Sequence, residues 1–246
     1  MKVGLFVTCL VDALRPRIGF ATVALLEAAG CSVEVPATQT CCGQPGFNSG
    51  DRASGIGLAQ AFLRDFEYFD AVVAPSGSCI SMIRDYPALF PASHDLSRRL
   101  AALVARSHEL TDFLVHHAPT RLPPGELPLS ACYHDSCSGL RTLGVKQQPR
   151  ELLAATRGVS LTEMRDAEVC CGFGGTFSVK LGDIATRMAD NKCVNALATG
   201  TAAIVGGDLG CLVNIEGRLR RRGDLTTQVL HVAEVLAAGR ARPGGG

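Results

Sequence analysis

The sequence carries no excess of charge of either sign: 24 Lys and Arg stand against 23 Asp and Glu in 246 residues, a net charge of +1. That balance excludes a strong sequence-independent nucleic-acid binder. No run reaches the ~18 apolar residues of a membrane span. The apolar stretch Val3–Val11 follows Lys2 in the manner of a short leader. Asp12, Arg15 and Arg17 interrupt it and no Ala-x-Ala site comes after, so a cytoplasmic protein is expected. A complete Gly-x-Gly-x-x-Gly fingerprint is also missing. The string GFGG at Gly172–Gly175 is only a fragment of such a loop, which leaves the chain without an evident flavin or nicotinamide site. Disorder is excluded by 47% hydrophobic and 19% charged residues, and the length allows one or two domains.

Cysteine, by contrast, is plentiful. Its eleven copies fall below the ~8–10% density of a disulfide scaffold, and an odd number cannot all pair within one chain. In a reducing compartment, thiols point to metal or redox chemistry rather than to disulfides. Their positions repeat. Cys41-Cys42-Gly43 recurs 129 residues later as Cys170-Cys171-Gly172; Cys9 and Cys137 are 128 apart, and Cys79 and Cys211 are 132 apart. The strings before the triplets, Gly30–Gly43 and Gly158–Gly172, align after one insertion. Such self-similarity marks a duplication, and two copies predict two similar lobes about a pseudo-twofold rather than a solenoid. The lobes are expected over residues 1–118 and 128–240, joined by the Pro- and Gly-rich segment His116–Pro128.

Each half alternates strand and helix, which predicts an α/β fold with a short, mainly parallel sheet and crossover helices in each lobe. In the first half, strands are expected at Lys2–Thr8, Ser32–Val35 and Ala71–Ala74. Helical stripes run through Ile18–Ala29 and Ala59–Phe66, and Asp95–Phe113 reads as one helix. In the second half, Leu127–Tyr133 and Ala202–Val205 read as strands, and Asp183–Ala198 and Thr227–Ala238 as helices.

Cys9, Cys79, Cys137 and Cys211 then fall just past strand C-termini, the edge where open α/β sheets bind ligands. The two triplets fall in loops, where the following glycine lets neighbouring side chains converge. Each half thus brings four thiols together from three loops, a donor set suited to zinc or to an iron–sulfur cluster. The short Cys-x2-Cys pairs of zinc sites are absent, whereas a larger cluster accepts thiolates from dispersed loops. Gly172, Gly174 and Gly175 leave backbone N–H groups to reach cluster sulfurs. Cys31, Cys132 and Cys193 have no cysteine counterpart in the other half and read as free core thiols. His134 and Asp135 are candidate catalytic residues, as proton donors or as partners of a cluster ligand. Arg141 and the run Arg218–Arg222 read as solvated.

The strings TCLVD (Thr8–Asp12), CCGQPGFNSG (Cys41–Gly50), PSGSC (Pro75–Cys79), YHDSCSGLR (Tyr133–Arg141), CCGFGGTFSVK (Cys170–Lys180) and DLGCLVNIEG (Asp208–Gly217) resemble the cysteine-rich CCG-domain iron–sulfur family. The family includes the cysteine-rich subunit of heterodisulfide reductase and glycolate oxidase iron–sulfur subunits. The resemblance is to its lactate-utilisation protein A branch, and it ends only at the tail RARPGGG. It implies up to two iron–sulfur clusters of the 4Fe–4S type. One would be held by Cys9, Cys41, Cys42 and Cys79, the other by Cys137, Cys170, Cys171 and Cys211. It further implies an electron-transfer subunit of an oxidoreductase system that turns L-lactate into pyruvate. The implied partners are a ferredoxin-type iron–sulfur subunit and a further lactate-utilisation protein, with a small 2-hydroxy acid, lactate or glycolate, as substrate of the complex. Heterodisulfide reductase has a fifth cysteine per half, where this chain has Ser76 and Asp208.

Two other readings fit the residues: a metal-free thiol redox protein switching at the Cys-Cys pairs, and a zinc-stabilised scaffold, with zinc in one half and His134 among its ligands.

Overall fold

The structure, a computed structural model, describes residues 1–240. The last six residues of the tail, where the resemblance ends, lie outside the described residues. The chain divides into two compact units, the first Met1–Arg121 and the second beginning at Leu122. Both are α/β, each with one four-stranded sheet in which every pairing is parallel.

In the first unit the chain runs β1 (Lys2–Leu5), α1 (Cys9–Leu14), α2 (Arg17–Ala28), β2 (Ser32–Glu34), α3 (Gln44–Phe47), α4 (Arg52–Phe66), β3 (Ala71–Ala74), α5 (Gly77–Asp85), α6 (Asp95–Val104), β4 (Ser107–Glu109) and α7 (Leu110–His116). The sheet order is β2-β1-β3-β4. The chain therefore moves outward one way from β1 and returns to continue the other way from β3. Loops after β1 and β3 diverge, opening the crevice at which parallel sheets bind ligands. Strand β3, Ala-Val-Val-Ala, is buried at every residue, as expected for a strand covered on both faces. Phe6, Phe62 and Tyr86 fill the layer beside it, with ring centroids 5.8 Å (Phe6–Phe62) and 5.6 Å (Phe62–Tyr86) apart in edge-to-face contacts.

The second unit repeats the plan with β5 (Gly125–His134), α8 (Cys137–Leu143), α9 (Gln147–Ala154), β6 (Thr156–Leu161), α10 (Thr176–Lys180), α11 (Gly182–Leu197), β7 (Ala203–Gly206), α12 (Leu209–Arg221), β8 (Gln228–His231) and α13 (Val232–Ala238). Its order, β6-β5-β7-β8, matches that of the first sheet position by position. Strand β5 starts inside the Pro- and Gly-rich segment expected to be a linker.

The structure corrects two expected helices. Asp95–Phe113 is α6, the short strand β4 and α7. Thr227–Ala238 holds β8 before α13. Buried Leu100, Leu103, Leu110 and Leu114 keep helical phase straight through β4, so periodicity alone cannot register a three-residue strand there. The first strand also stops at Leu5 rather than Thr8. The arginine run is not a free solvated end. Arg218 makes two bonds to Asp190, at 2.7 and 2.8 Å, and Arg222 adds a third at 2.8 Å, tying the end of α12 to α11.

Candidate metal centres

The four strand-end cysteines sit in the first turns of helices that follow the two central strands of each sheet. Cys9 opens α1 and Cys137 opens α8; Cys79 and Cys211 are the third residues of α5 and α12. The turn into Cys9 is tight. Buried Thr8 takes φ +77°, a left-handed conformation uncommon for a non-glycine residue and a local strain next to the thiol. At the other end of the crevice Ser76 caps α5 by accepting a 3.3 Å bond from the Cys79 N–H, and Asp208 caps α12 by accepting one of 3.3 Å from the Gly210 N–H. The residues that stand where heterodisulfide reductase has a fifth cysteine are thus N-caps of the helices carrying Cys79 and Cys211.

Both triplets turn on their glycine. Gly43 has φ +82° and Gly172 has φ +86°. In each, the glycine N–H points at the sulfur two residues back, Gly43 to Cys41 at 3.3 Å and Gly172 to Cys170 at 3.4 Å. A side chain pins the carbonyl between: Tyr86 Oη donates to Cys42 at 2.8 Å, and Asn214 Nδ2 donates to Cys171 at 2.9 Å. Sequence reading missed both of these donors.

The eight cysteines form two groups with the same internal order. In the first, Cys9 Sγ lies 3.6 Å from Cys41 Sγ and Cys42 Sγ lies 3.4 Å from Cys79 Sγ, with Cys41 and Cys42 also joined. In the second, Cys137 meets Cys170, Cys170 meets Cys171 and Cys171 meets Cys211. Hydrogen bonds from Cys42 and Cys9 pull the Cys41 thiol far down. The same contact with Cys41, and burial, push Cys9 up, and contacts with Cys41 and Cys79, then burial, push Cys42 up. In the second group, Cys137 is pushed up first by Cys170 and then by burial. Packed sulfurs of this kind favour a single thiolate over several, and a cation is what would let all four ionise together.

His134 ends β5 directly beneath the second group. It is 1% exposed, and neither ring nitrogen has a hydrogen-bond partner among the described residues. A nitrogen of His134 and the sulfurs of Cys171 and Cys211 all lie within 4.8 Å of one another. Burial, then nearby Lys192, holds the imidazole down to about 3, so it is neutral and able to act as a donor or ligand. The repeat places Phe6 at the matching position of the first half, so the first group has no imidazole at that position.

Asp135 sits differently. Its carboxylate is 2% exposed and takes a two-pronged bond from Arg150, 2.9 Å on each oxygen, and Arg150 also holds Glu163 at 2.6 Å. This pair ties α9 to the end of the strand that carries His134. Replacing Arg150 with Ala is expected to destabilise the second unit by about 3–5 kcal/mol, because it strands a buried carboxylate. Urea unfolding measures this; a change under about 0.5 kcal/mol, typical of an inert surface position, would show the pair to be idle.

Lys192 was also missed. It is 2% exposed on α11, with its side-chain nitrogen donating to the carbonyl of Ala167 at 3.1 Å; burial pushes its pKa below the usual lysine value, and nearby Cys171 is first among the groups that oppose that. The available signal was its phase: Ala185, Ala189, Lys192 and Ala196 share the buried stripe of α11. Cys31, Cys132 and Cys193 are buried, Cys132 within β5 and Cys193 against the Ile215 carbonyl at 3.7 Å. Arg141 is exposed on α8. No helix among the described residues is long and apolar enough to cross a membrane.

Comparison with known proteins bears on this arrangement. The cysteine-rich domain family CCG matches the chain twice, over residues 3–84 and 131–216, and each match contains one thiol group. Lactate utilization protein A of Geobacillus sp. (strain WCH70) is 43% identical over 236 residues, covering 96% of this chain and 99% of its own. The protein of the same name from Bacillus pumilus (strain SAFR-032) is 45% identical over the same shares of both chains. A hypothetical protein from Helicobacter pylori has a crystal structure that superposes with a TM-score of 0.64 at 9% identity, covering 99% of this chain. That likeness concerns the fold alone, and this chain spans 49% of the Helicobacter chain. Two CCG matches, the duplicated thiol groups and over 40% identity along nearly the whole length lead to one conclusion: the chain belongs to the lactate utilization protein A family of cysteine-rich CCG proteins.

Proposed function

We propose that the protein is an iron–sulfur electron-transfer subunit of a system that oxidises L-lactate to pyruvate. Cys9, Cys41, Cys42 and Cys79 would hold one cluster, and Cys137, Cys170, Cys171 and Cys211 the other. The observation that carries this reading is the convergence of four sulfurs in each unit, in the same order, at the crevice of a parallel sheet. The orphaned nitrogens of His134 beside the second group fit a bound metal group, since a buried polar atom without a partner is costly. The names of the relatives support lactate as the substrate of the system.

When bound, iron–sulfur clusters would take up electrons one at a time, and the chain's own residues shape that chemistry. The Gly43 and Gly172 N–H groups, which point at Cys41 and Cys170, would stabilise thiolate charge there. Tyr86 and Asn214 fix the peptide after the paired cysteines, and Ser76 and Asp208 fix the helices that present Cys79 and Cys211. Lys192 sets an amine near the second group, where the sulfur charge of Cys171 favours its protonation against the burial that lowers it, and the first group has the aromatic layer of Phe6, Phe62 and Tyr86 instead. The two centres would therefore differ in potential, the second being the easier to reduce. Asp135 acts as a positioning residue for the strand end that bears His134.

Hydride removal from lactate is assigned to partners, a ferredoxin-type iron–sulfur subunit and a further lactate-utilisation protein. The sequence offers no flavin or nicotinamide fingerprint of its own. The test is lactate-dependent reduction of an artificial acceptor by this chain alone and by the assembled system. Activity only in the assembled system is expected; rapid turnover by the anaerobically prepared chain alone, without added flavin, would make this chain the catalytic unit.

The zinc scaffold keeps one specific observation in its favour, the mixed nitrogen and sulfur group of His134, Cys171 and Cys211. It is separated from the iron reading by which metal the second unit retains. Replacement of Cys31, Cys132 and Cys193 by Ala is expected to leave iron content unchanged. A large loss of iron on changing Cys132 alone would show that the ligand sets differ from those the repeat selects.

A further inference from the structure

We propose that the first unit carries a second metal site, free of sulfur, in which His108, Asp112 and His117 bind a divalent ion of the zinc class. The three residues lie where β4 passes into α7. His108 is the central residue of β4, Asp112 stands in the first turn of α7, and His117 caps the other end of that helix. The strand-to-helix turn and a single helical repeat bring all three side chains to one place.

Their donor atoms are close enough for side-chain rotation to bring all three onto one ion. His108 Nδ1 is 3.7 Å from Asp112 Oδ2, and His117 Nε2 is 3.6 Å from the same oxygen. All three residues offer donor atoms within 4.8 Å of one another. Separations of this size exceed a hydrogen bond, whose N–H···O length runs to ~3.2 Å. They match more closely the edge of a tetrahedron built on metal–nitrogen and metal–oxygen bonds of ~2.0–2.2 Å, an edge of about 3.4 Å. The ring centroids of His108 and His117 are 3.9 Å apart with the planes tilted by 32°, so the two imidazoles already sit side by side, and Phe113 flanks both at 6.0 and 6.4 Å. His116 Nε2 stands 3.9 Å from the other Asp112 oxygen and widens the choice of donors.

The turn that presents these groups is held by Glu109. Its carboxylate caps α7, taking the Thr111 N–H at 2.8 Å and the Asp112 N–H at 3.2 Å. The corresponding turn of the second unit, from β8 into α13, is capped by His231, whose own N–H donates to the Glu234 carboxylate at 2.8 Å. The N-terminal cap is therefore supplied in both units without His108 or His117, and the histidine pair is an addition peculiar to the first. The side chains of His108 and Asp112 are 15% and 22% exposed and that of His117 is 42% exposed, which gives an ion a route in. Two imidazoles and a carboxylate favour zinc, cobalt, nickel or copper over magnesium or calcium, which prefer an all-oxygen shell. The site is chemically distinct from the thiol groups and does not depend on the iron–sulfur reading.

The test is anaerobic calorimetric titration with Zn²⁺ of the full chain carrying whatever metal it retains on anaerobic purification, followed by zinc-edge X-ray absorption of the product. One equivalent of zinc should bind, with a nitrogen and oxygen shell at ~2.0–2.2 Å. His108→Ala and His117→Ala should each weaken binding at least tenfold, with circular dichroism and iron content unchanged, and His117→Gln should do the same if the alanine variant unfolds. Absence of saturable zinc uptake would overturn the proposal. So would equal uptake by the variants, or a sulfur shell at ~2.3 Å, which would place the zinc at the cysteines instead.

Discussion

Changing Cys42 to Ser, or Cys171 to Ser, is expected to remove about half of the bound iron in each case, since four thiolates hold one cluster, and to abolish electron flow from lactate through the assembled system. These two residues are the most deeply placed sulfurs of their groups, at 3% and 1% exposure. Each touches two other sulfurs of its own group. A serine hydroxyl keeps the size and the fold but is a poorer partner for iron than a soft thiolate. Circular dichroism should therefore stay native while iron and activity fall. Full activity in both variants within the assembled system would take the cysteine groups off the electron path.

Gly172→Ala is expected to be nearly as damaging, and through the backbone rather than through a ligand. At φ +86° an alanine costs about 1–2 kcal/mol of conformational strain. In addition its Cβ would sit 2.6 Å from the Ala185 carbonyl oxygen, a backbone atom of α11 that cannot swing aside. The triplet must then shift, withdrawing the N–H from Cys170 and moving Cys171 relative to Cys211. Loss of iron from the second group should accompany a lower unfolding midpoint. Gly43→Ala serves as the comparison. Its Cβ would meet the tip of Leu58, a flexible side chain, at 2.7 Å, so that variant should retain more iron. Equal iron in wild type and Gly172→Ala would show that the tight turn is not what orders the second group.

The parts of the fold that were legible are those in which chemistry dictates residue type. Thiol donors have few substitutes, so Cys9, Cys41, Cys42 and Cys79 can be matched to Cys137, Cys170, Cys171 and Cys211 by spacing alone. Strands β3 and β7 announce themselves as short apolar runs that end at a helix cap. Strand β4 does not, because Leu103 and Leu110 keep helical phase across it, and its strand character comes from pairing with β3 rather than from its own three residues. The surroundings of the thiols were less legible still. Lys192 is 21 residues beyond Cys171 in the chain and meets the second group only after α11 has docked. Ser76 and Asp208 look like lost cysteines when set beside heterodisulfide reductase, and only their backbone partners reveal them as caps. His134 stands out by its position before Cys137, but the lack of partners for its nitrogens is a property of the packed strand end.

Anaerobic purification followed by iron and acid-labile sulfide analysis with EPR bears most directly on what these cysteines do. Two clusters of the ordinary kind would give about eight iron and eight sulfide per chain, with signals on reduction from two centres of different potential. One zinc ion per chain with no sulfide, in protein that has never met air and still folds and assembles, would contradict it.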